Sequence, residues 1–552
     1  MTVESTALKD WKPGDDSPKV AYFCMEYGLH PSLPIYSGGL GVLAGDVMKA
    51  AGDLTAPMVG IGLLWDEGYV NQFVSAEGEP VDEYRKTSRE ALRALDVEIE
   101  VEVGGRQVPC RAYVVERFLK AKLYLLEPTQ EHDRWITRRL YGGGEEDRVA
   151  QEIVLGVGGL RLLDALNEQV DVYHFNEGHA VFAGLELLSN ALGTGASFED
   201  ALKSVRRQVV FTTHTPVAAG NELHDIEFLR RMGAALTLSD EQLRCLGGSP
   251  FSMTEAGLRL SRAANAVAQL HGETARDMWK HVTDGAPIAG ITNGVHVPTW
   301  QDASVAAAGA DTSALWERHQ QLKEELLVSI EKRNGVRLRR DRLLVGFARR
   351  AATYKRADLI FSDEKQLELM FADDQLQLVF SGKAHPADHE GKQLVSNLVR
   401  ASRRWPKNVV FLENYEMELG ALLTRGCDVW LNNPRPPKEA SGTSGMKAAM
   451  NGVLNLSILD GWWPEGCRHG ETGWQIGEAH TADAPDFSDE DRDTRDAAAL
   501  YTVLANEVMP RYYDNRHVWL TMMANSISMS RWQFSAQRMV AEYFARLYKP
   551  LP

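Results

Sequence analysis

No stretch of this 552-residue chain stays apolar for the roughly 18 residues that a membrane-spanning helix needs. Met1 to Pro18 is polar and lacks the apolar centre of a secretory signal, which predicts a cytoplasmic protein. Cysteine is scarce: Cys24, Cys110, Cys245, Cys427 and Cys467 are odd in number and never form C-x-x-C. That pattern fits buried thiols in a reducing compartment and speaks against a disulfide framework or a cysteine zinc site. Histidine does not fall into H-E-x-x-H either. His174, Glu177 and His179 are close in sequence but lack the i, i+4 helical pairing of zinc proteases, so no metal site is assigned. Finally, no Lys/Arg-rich run stands out and the net charge is −16, which disfavours nucleic acid or an anionic membrane as a partner while allowing a local basic pocket.

What the chain does have is a soluble composition, 44% hydrophobic and 25% charged, over a length too great for one ordinary core. Two or more domains are expected. The most distinctive stretch is Glu439-Ala-Ser-Gly-Thr-Ser-Gly-Met-Lys447-Ala-Ala-Met-Asn451, in which the small residues Ser441 to Gly445 run into a lysine and a helix-forming sequence. Small residues let a backbone approach a ligand closely, and the N–H groups that open a helix attract anions. A lysine beside such a phosphate cradle suggests pyridoxal 5'-phosphate (PLP); the plainer alternative is a Gly/Ser cap with a surface lysine.

The rest of the chain repeats one pattern. Val20 to Met25 is an apolar run followed by Glu26, and Ser37-Gly-Gly-Leu-Gly41 then opens a helix reaching about Ala51. Residues 58 to 126 alternate apolar and polar and read as a meander of strands added to the domain. Tyr141 to Arg148 reads as an acidic loop, and Arg148 to Leu166 as a core helix. Val170 to Phe175, Gln208 to Phe211 and Ile288 to Ile291 each end in a polar cluster: Asn176 to His179, Thr212 to Pro216 and Thr292 to Gly294. After the charged helix Ser313 to Arg333 the pattern restarts, with strands from Leu343, Leu376, Val409, Asp428 and Gly452. Several of these end in cations: Arg349, Arg350, Lys355, Arg356 and Lys383. In open parallel sheets ligands bind beyond the carboxyl ends of the strands, so these cations are expected at a ligand edge rather than on a solvated basic face. Thr481 to Asp496 reads as an acidic surface loop, and Ser535 to Leu547 as a closing helix with an apolar stripe.

Together these residues resemble the α-glucan (glycogen, starch, maltodextrin) phosphorylases, PLP-carrying glycosyltransferases of the GT-B type, over Tyr22 to Tyr543. The most specific match is Glu439 to Asn451, supported by Ser37 to Gly41, Thr213 to Thr215, Ile291 to Gly294, Tyr354 to Arg356 and Phe411 to Tyr415. The resemblance implies an α/β fold of two doubly wound Rossmann-like domains facing a central cleft. We place them at 1–310 (glucan-binding) and 311–530 (PLP and phosphate), with 531–552 a terminal helix packing back on the first.

By the same resemblance, Lys447 holds PLP as a Schiff base, and Thr443, Ser444, Arg349 and the Gly38-Gly39 turn surround the cofactor phosphate. Arg350, Lys355 and the Gly39 amide bind the attacking phosphate, while Glu439, Ser441, Gly442, Tyr354, Asn293 and His214 hold the reacting glucose. The implied reaction is phosphorolysis of a terminal α-1,4-glucosyl bond to glucose 1-phosphate with retention, with the PLP phosphate as proton relay. Its implied partners are an α-1,4-glucan or maltodextrin, inorganic phosphate or glucose 1-phosphate, and a second copy of the chain in a homo-oligomer. The chain departs from the longer members at Ala352 (a histidine there), Glu416 (a basic residue), Arg349 (a lysine) and Ser444-Gly445 (Gly-Asn). Two other functions would suit parts of the sequence: a nucleotide-sugar glucosyltransferase of the same fold, which needs no such lysine, and a silent glucan-binding protein, which would not need Arg350, Lys355, His214 and Lys447 together.

Overall fold

A computed structural model describes residues 8–217, 220–309, 311–372, 375–479 and 487–549. The chain divides into two compact units. The first comprises residues up to Tyr69, Tyr84–Gly294 and the segment from Ala536; the second comprises Val70–Glu83 and Val295–Ser535. The change of unit falls after Gly294 rather than at 310, and a short piece of the N-terminal half belongs to the second unit.

The first unit is built on a nine-stranded sheet. Its strands are β1 (Val20–Phe23), β2 (Met58–Leu63), β3 (Leu92–Val103), β4 (Arg106–Val115), β5 (Lys122–Pro128), β6 (Val172–Asn176), β7 (Val209–Thr212), β8 (Ala263–Ala266) and β9 (Ile288–Gly290). The order is β9-β8-β7-β6-β1-β2-β5-β4-β3. β1 lies at the centre, fully buried, and pairs in parallel with both β2 and β6. The continuous apolar runs of β1 and β2 suit a strand covered on both faces. The expected added meander is the antiparallel run β3-β4-β5, whose last strand also pairs in parallel with β2, and β2 itself is a parallel member of the central sheet. β8, Ala-Ala-Asn-Ala, has no β-branched residue to announce it; its place between β7 and β9 makes it a strand.

Helix α1 (Gly39–Asp53) is buried from Gly41 to Gly52. At Gly45 a side chain would start 2.0 Å from the Gly28 carbonyl oxygen, so close helix contact there requires glycine. Helix α2 (Glu145–Ile153) begins inside the segment expected as an acidic loop. Gly144 N donates to Asp147 Oδ2 at 2.9 Å, and three acidic residues occupy the first turn, where the helix dipole favours them. A π-helical turn, Val154–Gly158, then joins α2 to α3 (Gly159–Ala165). The closing helix, α7 (Ala536–Arg546), packs on α1.

The second unit holds six parallel strands: β10 (Leu343–Ala348), β11 (Leu376–Ser381), β12 (Val409–Leu412), β13 (Val429–Asn432), β14 (Leu454–Ile458) and β15 (Gly473–Ile476). Their order is β12-β11-β10-β13-β14-β15, the 3-2-1-4-5-6 arrangement of dinucleotide-binding sheets. Helix α4 (Thr312–Asn334) starts at Asp311, whose side chain accepts from Ser313 N and Ala314 N, and stops at Gly335 in the left-handed conformation (φ 70°). Of the acidic segment 481–496, residues 481–486 lie outside the described residues, and Asp489–Val503 is a helix, α6, rather than a loop. The hairpin Asn71–Val74 with Pro80–Glu83 also belongs to this unit. Gln72 Nε2 donates to the Ala384 carbonyl at 3.3 Å, and Asp82 pairs with Lys392 at 2.6 Å. These partners lie some 300 residues away, beyond the reach of a local pattern. Among the described residues, no helix is long and apolar enough to cross a membrane.

Candidate active site

In the second unit the strand order reverses between β10 and β13, where connecting loops diverge and leave a crevice. Arg349 follows β10 directly and donates to Asn432 Oδ1, the last side chain of β13. Arg349 also approaches both oxygens of Glu439, at 3.2 Å (Oε1) and 3.1 Å (Oε2), and Lys355 Nζ donates to Oε2 at 2.8 Å. Burial works against the Glu439 carboxylate, but Arg349 and then Lys355 outweigh it and hold the group down at about 2. The Glu439 amide donates to Asp460 Oδ2 and the Gly461 amide to Oδ1, both at 2.9 Å. Burial pushes that second carboxyl up to about 7.

The glycine turn follows. Gly442 has φ 73°, a conformation that strongly favours glycine, and at Gly461 a side chain would start 2.2 Å from the Ser441 carbonyl oxygen. Ser441 is buried and its hydroxyl has no partner within the protein. Thr443 precedes helix α5 (Ser444–Met450) without a side-chain cap bond, and Ser444 Oγ accepts from Trp430 Nε1 at 3.1 Å. Lys447 lies buried on α5 with its amine 3.4 Å from the centre of the Trp300 ring. Asn451, four residues on, fixes that ring: its side chain donates to the Trp300 carbonyl at 3.0 Å and accepts from Asp302 N at 2.8 Å. Trp300, Asn432 and Asp460 are the site residues that sequence reading missed. Asn432 and Asp460, at the polar ends of β13 and β14, carried a local signal, and Trp300 carried none.

Not every strand-end cation serves a ligand edge. Arg356 is buried, donates to the Asn433 and Pro434 carbonyls at 2.8 Å each, and pairs with Asp493 and Asp496 at 2.7 Å each. It is a structural staple, because two carboxylates and two carbonyls occupy its guanidinium. Lys383 donates to the Val70 carbonyl at 2.9 Å, and burial brings its amine down to about 8. Arg350 is exposed and Tyr354 half-buried.

The first unit has its own reversal of strand order, between β1 and β6. Glu26, just beyond β1, accepts from Ser37 N at 2.6 Å, Gly38 N at 3.3 Å and Tyr141 Oη at 2.8 Å. The Gly38 amide is therefore engaged within the protein. A side chain at Gly38 or Gly39 would meet no protein atom within 4 Å, unlike at Gly41, where it would start 2.5 Å from Glu26. Glu177, beyond β6 at φ 76°, accepts from His214 N at 2.5 Å, and His214 Nε2 lies 2.6 Å from Asn176 Oδ1. Burial, followed by the neighbouring His271, His174 and His179, keeps the His214 imidazole neutral down to about 3. Asn293 is buried with its Oδ1 unpartnered, while Arg538 donates to its carbonyl at 3.1 Å.

Fold and site thus define a parallel-sheet α/β protein with cations gathered on one carboxylate beside a glycine turn and a buried lysine. The family model of the carbohydrate phosphorylases matches residues 303–465, which contain that whole set. Maltodextrin phosphorylase of Thermococcus litoralis is 39% identical over 99% of this chain and 72% of its own length. Glycogen phosphorylase of Mycobacterium bovis is 38% identical over 96% of this chain and 71% of its length, and that of Aquifex aeolicus 34% identical over 96% and 86%. The chain belongs to the carbohydrate phosphorylase family, whose members are enzymes of the glycosyltransferase type.

Proposed function

We propose that the chain is an α-1,4-glucan phosphorylase that uses inorganic phosphate to cleave terminal α-1,4-glucosyl residues and releases α-D-glucose 1-phosphate with retention. The observation that carries this reading is the grouping of Arg349 and Lys355 on Glu439, next to the Gly442 turn and the buried amine of Lys447. The family generally depends on PLP. The residues present fit that group: Lys447 is shielded against Trp300 and the Ser441 hydroxyl has no protein partner. Lys447 would hold PLP covalently, with Thr443, Ser444, Arg349 and the Gly38-Gly39 turn about its phosphate. When bound, the cofactor would supply that phosphate as a proton relay.

The protein's own residues do the rest. Arg350, Lys355 and the Gly39 amide bind the substrate phosphate, since an anion brought near a second phosphate needs cations and N–H donors to offset repulsion. Glu439, Ser441, Gly442, Tyr354, Asn293 and the neutral His214 orient the glucose hydroxyls. Glu439 stays ionised far below neutral pH, which removes it as a general acid. On this reading the two units are the Rossmann-like domains of a cytoplasmic GT-B glycosyltransferase that assembles as a homo-oligomer.

Incubation with maltodextrin and phosphate tests the proposal, with UDP-glucose or ADP-glucose plus primer as control. Phosphate-dependent release of glucose 1-phosphate is expected; transfer from the nucleotide sugar alone would make the chain a synthase. Arg350→Ala should abolish phosphorolysis while the protein keeps its PLP absorbance, because Arg350 is exposed and its loss leaves the Lys447 surroundings intact. Unchanged phosphorolysis would move the phosphate site elsewhere.

A further inference from the structure

A second polar cluster lies in the first unit, apart from the residues assigned above. Glu152 on α2, His179 in the turn after β6, and Glu222 each offer an atom, and these atoms all lie within 4.8 Å of one another. Glu152 is fully buried, and neither of its carboxylate oxygens receives a hydrogen bond from an N–H or hydroxyl of the protein; its close polar neighbour is the Glu222 carboxyl. His179 is 8% exposed with Nδ1 unpartnered. His224 adds a second imidazole: its Nε2, also buried without a partner, lies 3.9 Å from Glu222 Oε2, while Nδ1 is held by Glu145 at 2.9 Å. His179 Nε2 lies 3.9 Å from Glu222 Oε1, which Arg148 Nε approaches at 3.2 Å.

Buried polar atoms are nearly always satisfied, so the bare Glu152 carboxylate, gathered with His179 and Glu222 and with the unpartnered His224 Nε2 beside Glu222, calls for a common partner. One proton shared between the two carboxyls would satisfy one oxygen of Glu152 and leave the other, and His179 Nδ1, bare. A divalent cation would engage both carboxylates and the imidazoles together, and two carboxylates would balance its charge. We infer that Glu152, His179 and Glu222, joined by His224, form a binding site for a divalent transition-metal ion, with zinc the first choice. Mixed imidazole and carboxylate donors select zinc and its neighbours over magnesium or calcium, which prefer oxygen alone. Glu145 on His224 and Arg148 on Glu222 are the outer partners that hold such ligands in orientation. Glu222 is about a quarter exposed at its side chain, which gives the ion a way in. The ion would tie Glu222 to α2.

The test uses the full chain, stripped with a chelator and titrated with Zn2+ alone. Calorimetry and elemental analysis should find about one ion per chain, with a rise in melting temperature, and Co2+ in its place should give a visible absorption band. Glu152→Gln separates the ion from the shared proton, because the amide can donate to Glu222 as a carboxylic acid does but ligates metal poorly. It should lose the bound zinc entirely. Zinc retained by the variant at wild-type stoichiometry would overturn the assignment. So would a wild-type chain that takes up neither Zn2+ nor Co2+, a result that does not depend on the variant folding.

Discussion

Glu439 carries two opposed demands: it is 6% exposed, which penalises its charge, and it faces two cations that require the charge to stay. The cations win, moving its pKa from an ordinary 4.5 to about 2. A lowered carboxylate pKa stabilises the fold above the unfolded value, and the benefit disappears as pH falls from about 4.5 through 2. At neutral pH it amounts to about 3 kcal/mol. Glu439→Gln should therefore melt well below the parent at pH 7, because Arg349 and Lys355 are left buried without their carboxylate. The gap should narrow as pH falls below about 4.5 and close only near 2. Melting curves across that range check it, and a pH-independent gap would mean that the pairing contributes nothing. The sequence motif singled out Glu439 and Lys447. It was silent about Trp300, because the contact that matters is a ring placed by Asn451 across a long sequence separation.

Elements show the same division between near and far. β1, β10 and β11 were legible because buried parallel strands read as short apolar runs with polar ends, and α4 because Asp311 and Gly335 mark its limits. β8 was not, since a run of alanines becomes a strand only through its neighbours, and the hairpin Asn71–Glu83 gave no sign of its unit. Arg356 was misread for a related reason: its basic neighbours suggested a ligand, while its carboxylates come from α6, well over a hundred residues later. Replacing Arg356 by Met should leave Asp496 without its hydrogen-bonded cation, while Arg435 keeps Asp493 paired, and cost about 3 kcal/mol, the low end for a broken buried pair. Hydrogen exchange should show the loosening at α6 and in the loop after β13, and if the proposed site takes up PLP the variant should still bind it. Loss of PLP without such loosening would instead give Arg356 a place at the ligand.

At the scale of the whole molecule, the last segment of the chain completes the first unit's core. Met539, Val540, Tyr543, Phe544, Leu547 and Tyr548 are all buried. Tyr548 Oη meets His174 Nδ1 at 2.7 Å behind β6, and Arg262 donates to the Leu547 and Tyr548 carbonyls at 3.2 and 2.8 Å. Six such side chains at about 1.5–3 kcal/mol each match the entire net stability of an ordinary domain, about 5–15 kcal/mol. Truncation before Ala536 should accordingly unfold the first unit and spare the second, whose main core lies around β10 to β15. Limited proteolysis of the truncated chain should yield a resistant fragment within Val295–Ser535 and rapid loss of Tyr84–Gly294. Calorimetry should show the first unit's transition missing. An unchanged melting profile would mean that the segment only covers a surface the rest of the unit can leave bare, which the buried His174–Tyr548 bond argues against: removing Tyr548 would strand a fully buried imidazole nitrogen without a partner.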